Sequence, residues 1–218
     1  MSILNQNFKL AQISFTLKDI DWSINPSWSA LDPRVDELRP MSRELRKGDG
    51  KTLNVYFWPG TPRDKKTAGV AAPTFELNAN DLERDGVFVK THRLRAGDTT
   101  LTHEVGHWFG LYHTWYFDAC IEDVDCVEDT PTEFMRPSSP ELTGCEPRDT
   151  CKSIPGMDPV NNYMGHAKDE CITEFTQGQI QRMHEQWRTF RDTESSPCNP
   201  KKDKPPSAAG GKIACRKR

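Results

Sequence analysis

Alternating apolar and polar residues mark three candidate β-strands in the first half of the chain. Apolar side chains recur at about every second position of residues 13–24, "ISFTLKDIDWSI", which is the period of a strand with one buried face. A second apolar run, residues 53–59, "LNVYFWP", stops at a Pro-Gly pair, a strong strand terminator. Residues 85–92, "DGVFVKTH", give the third strand. We therefore expect a β-sheet in this half.

Helical spacing predicts a short helix between the first two strands. It covers residues 39–48, "RPMSRELRKG". Pro40 is placed near its first turn, where a missing backbone N–H costs little, and Gly48 falls past its end.

The clearest helix is predicted near the end of the chain, at residues 176–191, "TQGQIQRMHEQWRTFR". Thr176 and Gln179 have the spacing of a capping box. One face carries apolar residues at helical spacing, which favours packing against a core; they are Ile180, Met183, Trp187 and Phe190.

Residues 114–175 show little periodicity of either kind. They hold six prolines between Pro131 and Pro159, and five of the seven cysteines. A loop of this length is ordered only if disulfides or a bound metal cross-link it. Clustered cysteines favour disulfides and an oxidising compartment; scattered free thiols in a cytosolic protein are the alternative.

Composition bounds the class of protein. The 218 residues carry a net charge of −3, which argues against general nucleic-acid binding. No apolar run approaches the roughly 18 residues that a membrane span needs. We expect one domain over residues 1–192, with a net negative charge. The basic, Pro- and Lys-rich tail, residues 193–218, is predicted to be disordered.

The first residues, "MSILNQNFKLAQISF", lack the basic start and apolar centre of a signal peptide. If the cysteines do form disulfides, this absence needs an explanation. A mature fragment or a truncated gene model would supply one.

The chemistry is concentrated in "HEVGHWFGLYH", residues 103–113. A helix capped by Asp98 or Thr99 is expected to run to about Gly110. On it, two histidines four residues apart share one face, Gly110 turns the chain, and a third histidine returns. These three histidines are candidate zinc ligands with a fourth position open to water; they are His103, His107 and His113.

Glu104 follows the first of these histidines, where it can act as a general base on water. A buried helix whose histidines are only hydrogen-bonded is the alternative. The extended pattern H-E-x-x-H-x-x-G-x-x-H fixes five positions within eleven residues, so a chance match is improbable.

This extended motif resembles the metzincin signature, whose second part is a methionine turn. Here "NYMGH" supplies the methionine, Met164. The pieces "DCVEDTPTE", "GCEPRDTCKSIPGMDPVNNYM" and "CITEFTQGQIQRM" resemble in particular the pappalysin-like peptidases, among them secreted fungal metalloproteases.

The resemblance implies an α+β fold. Its upper lobe would hold a twisted mixed sheet and the active-site helix, and its lower lobe would be irregular, with disulfide staples and a C-terminal helix. Relatives have a further first strand, so we expect an incomplete sheet. The implied disulfides are Cys120–Cys151 and Cys145–Cys171. Cys198 could then pair with Cys215, which would leave Cys126 without a disulfide partner.

Further site residues follow from the resemblance alone. A calcium ion would be held by Asp125 with carbonyls near Val127 and Thr130; an acidic solvated turn is the alternative. Glu170 would lie at the base of the S1′ pocket and favour basic residues after the scissile bond. His166 replaces the usual tyrosine and would be an oxyanion donor, a zinc ligand or a bystander.

The function implied is that of a secreted zinc metalloendopeptidase acting on protein or peptide substrates as a monomer, with no nucleic-acid partner. The competing hypothesis is a catalytically silent, zinc-binding effector on the same scaffold. The substituted histidine and the basic tail motivate it, whereas the intact ligands and Glu104 argue against it.

Overall fold

The computed structural model describes residues 1–29, 31–32, 35–61, 64, 67–71, 82–117, 119–135 and 144–192. The tail predicted for residues 193–218 lies outside this part of the chain. The chain divides into two compact units, residues 1–110 and 111–218. No helix within the described ranges has the length and apolar character that crossing a membrane requires.

The first unit contains a three-stranded mixed sheet, in the order β1-β3-β2. Strand β3 (Val87–Lys90) pairs in parallel with β1 (Val55–Trp58) and antiparallel with β2 (Gly69–Ala71). The predictions for 53–59 and 85–92 are thus confirmed. All four residues of β3 are buried, as expected of a central strand covered on both faces.

Aromatic packing forms the core on one side of this sheet. Tyr56 stacks on Phe88 with ring centroids 4.7 Å apart, and Trp58 meets Phe88 edge-on at 6.2 Å. Helix α3 (Val35–Leu45) packs here through Leu38 and Met41. A short helix, α2 (Pro26–Ser29), precedes it.

The helix predicted at 39–48 is present but begins earlier, so Pro40 lies inside it rather than in its first turn. A proline inside a helix removes one backbone hydrogen bond. Leu38 and Met41 are 0 % and 4 % exposed, so burial of this face offsets that cost. Gly48 follows the helix with φ +73°, as its position suggested.

The strand predicted at residues 13–24 is wrong. This segment has no assigned secondary structure and pairs with no strand in the described part of the chain. Asn5, in helix α1 (Ser2–Asn7), bonds both the N–H and the carbonyl of Phe15. Beyond it, Trp22 and Ile24 are 92 % and 100 % exposed. Alternation gives a strand only where a neighbouring strand supplies backbone partners and another layer of structure covers the apolar face.

Helix α4 (Thr100–Trp108) is held in the first unit by polar and aromatic contacts. The Trp108 indole N–H donates to the fully buried Asp85 at 2.9 Å, and Asp85 also pairs with Arg46 at 3.2 Å. The Asn7 amide donates to Thr102 at 2.8 Å. The predicted helix is therefore confirmed, and its orientation is fixed at several points.

The second unit is mostly irregular, with two short parallel strands, β4 (Trp115–Phe117) and β5 (Glu133–Met135). Its disulfides are Cys120–Cys151 and Cys145–Cys171, the pairing that the family resemblance implies. Cys126 is disulfide-bonded as well, so the expectation that it is left over is wrong. Cys198 and Cys215 lie outside the described residues.

Helix α5 (Gln177–Gln186) and its final π-helical turn, Trp187–Arg191, confirm the predicted C-terminal helix and its capping box. Gln179 does more than cap. Its amide exchanges two hydrogen bonds with Asn162, at 2.8 and 2.9 Å, and both side chains are buried. The side-chain oxygen of Asn162, Oδ1, also accepts from the Met164 backbone N–H at 2.9 Å.

Replacement of Gln179 by Ala should destabilise the fold by about 2–4 kcal/mol, because it removes the glutamine half of the capping box and leaves the buried amide NH2 of Asn162 without its acceptor. Denaturant unfolding measures the change. The control is Gln181→Ala on the exposed side of α5, where the amide donates to the exposed Glu185; it should cost less than about 0.5 kcal/mol. Equal losses in the two variants would contradict the role given to Gln179.

Candidate metal centre

The helical period places the first two candidate ligands side by side on α4. The Nε2 atoms of His103 and His107 are 3.1 Å apart, and their rings are nearly perpendicular. Asp98 rather than Thr99 provides the side-chain contact at the start of the helix, because its carboxylate accepts from the Thr100 N–H at 3.0 Å.

The turn after α4 depends on Gly110, whose φ is +86°. Glycine adopts this left-handed conformation without a steric penalty. The chain reverses there and returns His113, so that one ligand atom from each of the three histidines lies within 4.8 Å of the others. Within the described ranges this is the one such group of at least three His, Cys, Asp or Glu residues.

These imidazoles fit a zinc ion. Tetrahedral coordination with Zn–N distances of 2.0–2.1 Å places ligand nitrogens about 3.3 Å apart. The observed separations, from 3.1 Å to within 4.8 Å, require small movements at most. Three protein ligands leave one position for water or substrate, as in catalytic rather than structural zinc sites.

Glu104 is buried on the opposite side of its helix from solvent, with 6 % of its surface exposed. Burial raises its pKa to about 8. Its side chain fills the space left by Gly69 in β2: a Cβ at that position would lie 2.8 Å from Glu104 Cγ and 2.9 Å from Oε1. No hydrogen bond or ion pair of the carboxylate is found within the described residues, and the raised pKa makes the ionised carboxylate a stronger proton acceptor than an exposed glutamate.

Met164 is fully buried in a tight turn of the second unit. Besides the bond to Asn162, its carbonyl accepts from the N–H of Thr114 at 3.2 Å. Thr114 directly follows His113 in the chain. The methionine turn is therefore hydrogen-bonded to the backbone that carries the third candidate ligand.

A buried charge network supports the same backbone, and sequence reasoning missed it. The Glu133 N–H donates to the Thr114 carbonyl at 2.9 Å, and the Glu133 carboxylate pairs with Arg148 at 3.0 Å. Arg148 also meets Asp158 at 3.3 Å. The backbone N–H of His166 lies near enough to the Glu133 carboxylate to lower its pKa, but burial outweighs this and raises the pKa overall. Sequence separation hides this network, since its members lie up to 33 positions apart and share no motif.

His166 and the candidate ligand His113 contact the same aromatic ring, that of Trp115. The Trp115 indole stacks on His113 with centroids 4.1 Å apart and meets His166 at 5.9 Å. Partial desolvation, and then the positive charge of Arg148, lower the pKa of His166. Its imidazole is therefore neutral at pH 7 and carries one N–H donor.

The three residues of the calcium hypothesis lie together. The Thr130 hydroxyl oxygen is 2.6 Å from Asp125 Oδ2 and 2.9 Å from the Val127 carbonyl oxygen. Asp125 is 1 % exposed, and burial raises its pKa to about 6. The nearby Asp129 has another task, because it accepts from the Thr176 hydroxyl and the Gly178 N–H at the start of α5.

Glu170 is exposed, and its carboxylate makes no hydrogen bond or ion pair with the residues that the structure describes. Its position next to Cys171 places it at the Cys145–Cys171 bridge. Nothing in its surroundings assigns it a structural task.

Comparison with known proteins shows the family of the chain. Residues 50–188 match the family model Peptidase_M43, described as pregnancy-associated plasma protein-A. An extracellular metalloprotease of Colletotrichum graminicola is 40 % identical over 201 residues, which cover 88 % of this chain and 68 % of that protein. One from Neurospora crassa is 38 % identical over 205 residues, with coverage of 88 % and 66 %.

A solved structure of mature mirolysin from Tannerella forsythia, in complex with a cleaved peptide, has a TM-score of 0.53 and 25 % identity. The match covers 72 % of this chain and 60 % of the mirolysin chain. The family model spans more than half of the chain, and the Colletotrichum relative is matched over two thirds of its length. The chain therefore belongs to the Peptidase_M43 family, the pappalysin-like metalloproteases of the metzincin class.

Proposed function

We propose that the chain is a secreted zinc endopeptidase that hydrolyses peptide bonds in proteins or peptides. The observation that carries the proposal is the group of three imidazoles with the buried Glu104 beside it, whose carboxylate has no hydrogen-bond or ion-pair partner among the described residues. The names of the fungal relatives and the cleaved peptide bound to mirolysin support this reaction. The disulfides and the extracellular relatives support secretion.

His103, His107 and His113 would hold the zinc ion, which when bound polarises a carbonyl group and acidifies water. Glu104 acts as the general base: its carboxylate accepts a proton from the attacking water and later donates it to the leaving amine nitrogen. Burial favours this role, since Glu104 is screened from bulk water and meets no competing partner within the described residues.

His166 is the proposed hydrogen-bond donor to the negative charge that develops on the substrate carbonyl oxygen. Its backbone N–H lies near the Glu133 carboxylate and its ring contacts Trp115. Among the described residues, neither imidazole nitrogen of His166 makes a hydrogen bond. A neutral imidazole supplies one N–H, as the tyrosine hydroxyl of related enzymes would.

Two further roles belong to the same proposal. Asp125, Val127 and Thr130 would bind calcium, a hard cation that prefers oxygen ligands; their oxygens are already close together, and a cation would compensate for the buried carboxylate. Glu170 would select Arg or Lys on the carboxyl side of the cleaved bond, because its carboxylate is exposed and unpaired within the described residues.

Replacement of Glu104 by Ala should lower kcat/KM for a peptide substrate by about 10²–10⁴-fold and leave about one zinc per chain, because the base is removed and the ligands remain. Peptide hydrolysis and metal analysis measure the two effects. Glu185→Ala, at an exposed position of α5, is the control and should change neither. Full activity in the Glu104 variant would remove the proposed base.

Replacement of His166 by Phe should lower kcat by about 10²-fold with zinc content unchanged, since one donor is lost from the transition state. Because the pKa of His166 is lowered, the ratio of wild-type to variant kcat should stay constant between pH 7 and pH 8.5. An unchanged kcat identifies a bystander, and a loss of zinc identifies a ligand; either outcome contradicts the donor role.

Profiling with a peptide library should show cleavage before Arg or Lys, and Glu170→Gln should reduce that preference by about tenfold because a charge pair becomes a neutral contact. Glu174→Gln, another exposed glutamate four residues on, is the control and should leave the profile unchanged. If the wild-type chain shows no enrichment of Arg or Lys on the carboxyl side of the cleaved bond, this role of Glu170 is wrong.

A further inference from the structure

One indole in the second unit lies against two imidazoles. Trp115 stacks almost parallel to His113, with 15° between the ring planes and 4.1 Å between the centroids. On the same ring, His166 makes an edge contact at 5.9 Å and 65°. Phe117, two residues along β4, packs against the indole at 4.7 Å. Trp115 is thus in contact with the third candidate ligand and with the candidate donor.

The backbone on both sides of this indole is fixed. Trp115 is paired with Glu133 in the β4–β5 register. The neighbouring Thr114 donates its N–H to Met164 and accepts from the N–H of Glu133. Glu133 is itself held by a buried ion pair with Arg148. The backbone that carries the indole is therefore held on both sides where it lies against His113.

The indole makes this contact through its ring face and not through its nitrogen. The indole nitrogen of Trp115 is buried and has no hydrogen-bond partner within the described residues. Its effect on His113 must then come from the face of the ring. This matters because the ring torsion of histidine is broad and roughly two-fold, so that its rotamer alone does not fix the ring plane.

We propose that Trp115 is a positioning residue that holds the His113 imidazole in the plane required for zinc binding; this inference rests on the zinc endopeptidase proposed above. A ligand nitrogen binds the metal along its lone pair, which lies in the ring plane. Restricting the plane before the metal arrives reduces the entropy lost on binding.

The indole should also favour the metal-bound state. An imidazole that coordinates zinc is electron-poor, and the face of an indole is electron-rich, so the stacked pair is attracted more strongly once the metal is bound. Residues that orient metal ligands typically change metal affinity by about 10–100-fold. Zinc affinity is therefore the quantity that Trp115 should control.

The test compares four full-length chains: wild type, Trp115→Phe, Trp115→Leu and Tyr116→Leu. Tyr116 is the next residue of β4 and is 42 % exposed. Competition with a chromophoric chelator gives the zinc Kd of each. We expect the Kd of Trp115→Leu to rise about tenfold, with Trp115→Phe and Tyr116→Leu within about twofold of wild type, because phenylalanine keeps a ring face there. An unchanged Kd in Trp115→Leu, or an equal rise in Trp115→Phe, overturns the proposal.

A second measurement does not depend on the folding of the leucine variant. The tryptophan emission of wild type minus that of Trp115→Phe isolates Trp115, and it should change when zinc is added, because the indole touches a ligand. No change overturns the proposal. If the wild-type chain binds no zinc, this inference and the proposed function fail together. If it binds zinc and cleaves peptides while Trp115→Leu binds equally well, this inference fails alone.

Discussion

Three imidazole nitrogens must point at one position, and much of the described structure serves that requirement. The helical period brings His103 and His107 together, but it cannot supply a third ligand in the same place. The reversal at Gly110, with φ +86°, returns His113 after only three residues. A side chain at position 110 would oppose that backbone conformation. The ligand set therefore depends on one residue that has no side chain.

Each unit then contributes its own anchors, and most of them are buried polar groups. In the first unit α4 is fixed through Trp108 and the fully buried Asp85. In the second, Glu133 and the Asn162–Gln179 amide pair hold the segments that carry Met164 and Thr114. Buried charges and amides gain little net stability, but leaving one partner unsatisfied costs much, so they favour a single arrangement. That property suits a site whose geometry has narrow tolerance.

Sequence reasoning succeeds here where the signal is local. Short windows of sequence encode helix α4, the capping box of α5 and the two parallel strands of the first sheet. The candidate ligands follow from the spacing of the histidines. It fails where the outcome depends on a distant partner. Residues 13–24 alternate like a strand but find no neighbouring strand in the described structure. The stacking of Trp115 on His113 and the Glu133–Arg148 pair carry no periodic signal, although they determine how the site is held.

If a metal at the three histidines makes this chain a peptidase, hydrolysis of casein must depend on that metal. The decisive assay therefore compares casein hydrolysis with and without a zinc chelator. We expect cleavage that the chelator abolishes and that added zinc restores. Two results would contradict this. One is cleavage that persists after metal analysis shows the zinc to be gone. The other is a folded chain that carries about one zinc ion and leaves casein intact, which is the behaviour of a silent zinc-binding effector.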